Sequence, residues 1–209
     1  MPADDHRLTT REMAEFVVNG HLRFDGLVPD DINQRVIEEL GALYAVKMRQ
    51  AIESAGRDGS AFGNTSDVRH PESLTPLSSC YPKPSVIGEM LRLPQVQGIV
   101  QSLVGTDPLF DHDFVHYIPA KHPKGQHLHV DAVIDNRHPS FDIQLFYYPT
   151  AVEPGAGGTR FVPGTHLRHT RAEGVARYQH LLGEQQYSGS PGTVLIFHQA
   201  LWHAGQPNP

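Results

Sequence analysis

Cysteine is almost missing from this 209-residue chain. Its one copy, Cys80, allows no internal disulfide and no cluster of thiolate metal ligands. Long apolar runs are missing as well: no stretch approaches the roughly 18 residues a spanning helix needs. The polar, acidic start, MPADDHRLTT, holds no hydrophobic segment of the kind a secretory leader uses. Insertion into a membrane and export thus both lack their signals, and a cytoplasmic location is expected. Blocks of like charge are also lacking. With 17 Lys and Arg against 23 Asp and Glu, spread without clustering, nothing suggests a nucleic-acid or membrane partner, and a small-molecule partner is the better expectation. Histidine is what the chain has in quantity, at 14 copies.

The length suits one domain with a sizeable core, and its two halves differ in character. TTREMAEFVVNG places Glu12 three residues after Thr9, a capping-box pattern, then sets Met13, Phe16 and Val17 on one helical face with Gly20 as a stop. HLRFDGLV reads as a strand. PDDINQRVIEELGALYAVKMRQAI reads as a long helix with Asp31 as N-cap and Ile32, Val36, Leu40 and Leu43 at helical spacing. Residues 53–84 are rich in Gly, Ser, Asp and Pro with little periodicity, which suits irregular structure or a lid over a site. KPSVIGEMLRLPQVQGIVQSLVG gives two helices broken at Pro94 and ended by Gly105. Short strands follow: PLFDHDFVHYI, FDIQLFYYP, TRFVP and TVLIF. The expected architecture is a mainly β domain with flanking helices. Residues 1–105 form a mainly helical buttress and lid region, and residues 106–209 form a jelly-roll core, one economical way to protect strand edges.

The chemistry concentrates in two segments. GQHLHVDAVID carries His127, His129 and Asp131; GTVLIFHQALWHAGQPNP carries His198 and His203. Two histidines and one carboxylate are the ligands of the facial triad of non-haem iron(II) oxygenases, which leaves other coordination positions open. On a strand, side chains i and i+2 share a face, so His129 and Asp131 can grip one ion. His203, a few residues past the TVLIF strand, is the third candidate. Each has a plainer alternative. An isolated H-x-D is often a hydrogen-bonded pair at a strand end, and His203 could be a polar loop residue. His198 could orient a neighbour or serve structure only, and His166 suits a structural role in a turn. His127 in place of Asp131 would give a three-histidine site of the cupin kind, and parity does not decide, because 127, 129 and 131 share one face.

Three segments together, HVD at 129–131, GGTRFVPGTH at 157–166 and GTVLIFHQALWHAGQPNP at 192–209, resemble the phytanoyl-CoA dioxygenase family of Fe(II)- and 2-oxoglutarate-dependent oxygenases. EFVVNGHLRFDGLVPDDINQRVIEEL is similar to that family's opening helix, strand and helix, so the resemblance covers nearly the whole chain. It implies a double-stranded β-helix, Fe(II) held by His129, Asp131 and His203, and 2-oxoglutarate as co-substrate with Gln144 and Thr159 beside it. It also implies use of O2 to hydroxylate a small organic substrate, since Asp131 stands where halogenating relatives lack a carboxylate. The resemblance further implies an arginine past the distal histidine to hold the far carboxylate of 2-oxoglutarate. Only AGQPNP follows His203 here, so a last strand and that anchor are expected to be missing, with Arg160 alternating away from Thr159 toward the outside. Two readings from other classes stay open: a cupin-type isomerase or lyase using His127, His129 and His203, and a non-catalytic binding protein of the same fold.

Overall fold

The computed structural model describes residues 6–41, 75–81, 84–110, 113, 115–116, 118, 120–121, 123–131, 142–168 and 172–209. Apart from 75–81 and 84, the expected lid at 53–84 lies outside them. Helix α1 (Thr10–Asn19) starts on the capping box: the Thr9 side chain accepts the Glu12 N–H while the Glu12 carboxylate accepts the Thr9 N–H. It stops at Gly20, whose left-handed φ of 76° suits a residue without Cβ. The chain passes directly into strand β1 (His21–Phe24). Helix α2 begins at residue 30 and is described to 41. It therefore starts one residue before the expected Asp31 cap, and the Pro29 carbonyl takes the first turn's N–H groups from Ile32 and Asn33.

Strand β2 (Thr75–Pro76) pairs antiparallel with β3 (Leu109–Phe110), which is as much of the PLFDHDFVHYI segment as forms a described strand. Between them lie helices α3 (Val86–Leu91) and α4 (Pro94–Val104). Pro94 sits at the first position of α4, where its missing N–H costs nothing, and Gly105 closes that helix. The later strands are β4 (Ile143–Tyr148), β5 (Thr159–Phe161), β6 (Gln185–Gln186), β7 (Thr193–His198) and β8 (His203–Gly205), with a short helix α5 (Ala172–Val175) before β6.

Two three-stranded antiparallel sheets, β1-β7-β4 and β6-β5-β8, face each other. β7 lies between β1 and β4 and is covered on both sides, so TVLIF reads as a continuous apolar run instead of an alternating one. One face of the first sheet, with Leu22, Val194, Ile196 and Leu145, packs on the helices through Phe16, Val36, Val96 and Ile99. The other face sends Leu195, Phe197 and Phe146 against Phe161 of the second sheet and Tyr187 just past β6, with the Phe161 and Phe197 rings 4.9 Å apart. A smaller cluster of Leu128, Val162, Val175, Trp202 and Ala204 covers the outside of the second sheet. The mainly β fold with flanking helices has jelly-roll character. Among the described residues no helix is long and apolar enough to cross a membrane.

Candidate metal centre

The site is built where the backbone of 126–129 runs beside β8. The Gln126 N–H donates to the Gly205 carbonyl, and His129 and His203 exchange both backbone hydrogen bonds, at 2.9 and 3.0 Å. β8 is therefore held by β5 on one side, where Phe161 pairs with His203, and by 126–129 on the other. His203 is thus not the loop residue it resembles in sequence. The H-x-D unit, conversely, is anchored by a single bridge at His129 instead of a full strand. Directly opposed in this bridge, the two histidine rings stand 4.6 Å apart.

Each imidazole is locked by its own chain. Nδ1–H of His129 donates to the His127 carbonyl at 2.8 Å, and Nδ1–H of His203 donates to the Leu201 carbonyl at 2.9 Å. A carbonyl can only accept, so Nδ1 carries a proton in both rings, and Nε2 of each is the atom turned to the centre. His129 Nε2 lies 3.2 Å from Asp131 Oδ1 and His203 Nε2 lies 3.3 Å from Asp131 Oδ2. One ligand-type atom from each of the three residues lies within 4.8 Å of the others. The same two Nε2 atoms and the Asp131 carboxylate form a group that could hold a metal ion. A hydrogen bond that Asp131 accepts from His129 favours the charged imidazole and raises the His129 pKa against the opposing effect of burial. Burial would raise the Asp131 carboxyl, but hydrogen bonds to His129 and His203 outweigh it and hold the group far below the usual carboxylate range. The donor set fits a divalent cation of the iron type: imidazole nitrogens with a carboxylate, and no thiolate.

Around the triad, His203 forms the floor, with its side chain 4% exposed, while His129 and Asp131 open toward solvent at 34% and 41%. Phe146 and Phe197 stand edge-on to the His203 ring at 5.5 and 5.8 Å. Gln144 points from β4 into the centre, where its Nε2 donates to Asp131 Oδ2 at 2.6 Å. Thr159 shares the inner face of β5 with Phe161, pairs across to Gly205, and accepts a 2.8 Å hydrogen bond from the Tyr148 hydroxyl. Burial pushes the Tyr148 phenol well up. Sequence reasoning passed over Tyr148, although strand alternation places it on one face with Gln144 and Phe146. It also passed over His116, which lies within electrostatic reach of all three centre residues. Burial lowers its pKa; Asp131 acts against that, while His129 and His203 act with it.

The remaining candidates fall elsewhere. His127 is exposed and contributes its carbonyl, not its ring, to the centre. His198 belongs to the helix-facing side of β7, where its Nδ1 accepts the Ala200 N–H at 3.0 Å and its ring packs near Phe16 and His166. His166 sits in the turn Thr165–Leu167 and meets the Val17 carbonyl through Nε2 at 3.0 Å, tying that turn to α1. Arg160 does alternate away from Thr159, but it does not reach outward. It is 4% exposed, with its guanidinium on Glu184 at 3.0 Å, Gln179 at 2.5 Å and the Gln126 carbonyl at 3.2 Å. Burial of so strong a cation requires partners of this kind.

Comparisons with known proteins agree with this architecture. EctD from S. alaskensis, solved with 2-oxoglutarate and 5-hydroxyectoine, superposes with a TM-score of 0.68 at 17% identity, over all of this chain and 73% of its own. HygX from Streptomyces hygroscopicus, solved with nickel and 2-oxoglutarate, gives 0.57 at 14% identity, over 97% of this chain and 82% of its own. The non-heme monooxygenase ThoJ, in a nickel complex, gives 0.63 at 17% identity, over 93% and 70%. At these identities the likeness shows the fold. No curated protein sequence matches. The phytanoyl-CoA dioxygenase family matches residues 16–209, nearly the whole length. The chain belongs to the phytanoyl-CoA dioxygenase family of iron(II)- and 2-oxoglutarate-dependent oxygenases.

Proposed function

We propose that this protein hydroxylates a small organic substrate at an iron(II) centre held by His129, Asp131 and His203, with 2-oxoglutarate and O2 as co-substrates. The observation that carries the assignment is the convergence of two backbone-latched imidazole Nε2 atoms on one carboxylate, within 4.8 Å, in a chain of this family. Bound iron supplies the redox chemistry that couples decarboxylation of 2-oxoglutarate to oxidation of a C–H bond.

The protein's own residues position, neutralise and exclude. His129 and His203 offer Nε2 atoms whose orientation is set by the His127 and Leu201 carbonyls. Asp131 supplies one negative charge against the cation. Phe146 and Phe197 keep water from the His203 side. Gln144 lies beside the ligand carboxylate, and the Thr159 hydroxyl, fixed as an acceptor for Tyr148, keeps its own hydrogen to donate to a co-substrate oxygen. The cupin-type alternative finds no support in the geometry, because His127 is exposed and the cluster contains Asp131 in its place.

The test is direct. Protein mixed with Fe(II), ascorbate and 2-oxoglutarate should release succinate, and release should rise with the right substrate from a panel. In metal titrations, His129→Ala, Asp131→Ala and His203→Ala should each abolish tight binding while His127→Ala keeps it. Retention by Asp131→Ala with loss in His127→Ala would replace this assignment with the three-histidine one.

A further inference from the structure

The three centre residues are not held equally well. His129 and His203 are each fixed twice, by the reciprocal backbone bridge and by a ring Nδ1–H on a carbonyl two residues earlier. Asp131 is the most exposed of the three, and no backbone hydrogen bond of its own ties it to a neighbouring strand among the described residues. A carboxylate on such a segment has free χ angles and two equivalent oxygens. Something must choose its orientation before a cation arrives.

Gln144 approaches the carboxylate from a paired strand. It lies in β4, hydrogen-bonded to β7 in register with Phe197, on the face that carries Phe146 and Tyr148. Its Nε2 donates to Asp131 Oδ2 at 2.6 Å, and among the described residues it is the one partner of that carboxylate besides the two histidines. The other end of the same amide, Oε1, is buried with no hydrogen-bond partner. Leaving a buried acceptor unpaired is costly, so glutamine is a poor choice for filling this space. Among the described residues the Asp131 contact is the only hydrogen bond that orients the amide.

We propose that Gln144 is a positioning residue for Asp131: its N–H occupies Oδ2, sets the plane of the carboxylate and leaves Oδ1 as the freer oxygen for the metal. This rests on the His129, Asp131, His203 assignment proposed above. It gives Gln144 a role in metal affinity beyond any contact with 2-oxoglutarate. Partners that orient a metal-binding group typically matter about 10- to 100-fold in affinity.

The experiment uses the full chain, stripped of metal and titrated with Co(II) without 2-oxoglutarate, followed by the visible absorption of the bound ion. Gln144→Met keeps the volume and removes the donor; Gln144→Asn keeps the amide but is too short to reach Oδ2. Both should bind Co(II) about 10- to 100-fold more weakly than wild type, with an altered Co(II) spectrum. Thermal melts of the metal-free variants should stay close to wild type, because the lost hydrogen bond is offset by removal of the orphaned Oε1 or its shift toward water. If either variant folds and binds Co(II) with wild-type affinity and spectrum, the positioning role is overturned, even if its affinity for 2-oxoglutarate drops. If wild type itself binds no Co(II), the metal assignment beneath it fails, and the role of Gln144 fails with it.

Discussion

Lowering the pH should loosen this fold through His198. The ring sits at the end of β7, and its Nδ1 accepts the Ala200 N–H at 3.0 Å, which requires that nitrogen to be unprotonated. Burial, and secondarily the neighbouring His166, push its pKa down to about 4. The sign follows directly. The unfolded chain, with a histidine pKa near 6.5, binds a proton that the folded chain refuses, so this stabilisation is complete above about pH 6.5, shrinks as pH falls, and is gone below about 4. Taken at full value, the two pKa values give a loss of about 1.8 kcal/mol between pH 7 and 5. The ring is partly exposed to solvent, and screening reduces this to about 1 kcal/mol. The assay is urea unfolding with a chelator present, at pH 7 and 5, on wild type and on His198→Asn. Asparagine Oδ1 can replace Nδ1 as the acceptor but does not titrate. Wild type should lose about 1 kcal/mol more than the variant, roughly 0.3 to 1 M in midpoint. Equal losses in the two proteins would refute the argument, as would a wild type more stable at pH 5 than at pH 7.

Gly20→Ala should cost about 2 kcal/mol or more in unfolding experiments. Its φ of 76° is unfavourable for any side chain, and a Cβ would come within 2.4 Å of His166 Nδ1. Thr159→Val should strand the buried Tyr148 hydroxyl at a cost of about 1 to 3 kcal/mol, and should also weaken 2-oxoglutarate binding measured by calorimetry; unchanged binding would remove Thr159 from the co-substrate site. Arg160→Met should destabilise by about 2 kcal/mol or more by leaving Glu184 and Gln179 without their cation, yet leave the 2-oxoglutarate affinity of the folded fraction unchanged. Phe197→Ala, which opens the interface between the sheets, should cost about 3 to 5 kcal/mol.

Local signals were read correctly from the sequence because they act locally. The Thr9 and Glu12 box, the Gly20 stop, the Pro94 break and the apolar run of β7 each depend on residues within a turn or a strand. HVD and the later histidine pointed to the cluster of His129, Asp131 and His203 for a different reason, the resemblance of their surroundings to a known family. Long-range features were hidden. That β1 joins the same sheet as β4 through β7 depends on pairing across some 170 residues, and no periodicity in HLRF reveals it. Arg160 was placed on the correct face but in the wrong environment, because alternation fixes which side a residue takes and says nothing of what covers that side. The same gap hid Tyr148 and the contact between Gln144 and Asp131, both of which join β4 to another part of the chain.

The latching of both imidazoles onto carbonyls two residues earlier divides the molecule's labour. Those latches are internal to HLH and LWH, so ring orientation is inherited from main-chain conformation and asks nothing of the other side chains around the triad. Those side chains can then be exchanged without turning the two rings. An engineer seeking altered selectivity would leave these two tripeptides and β4 untouched, and diversify positions that do not touch the triad.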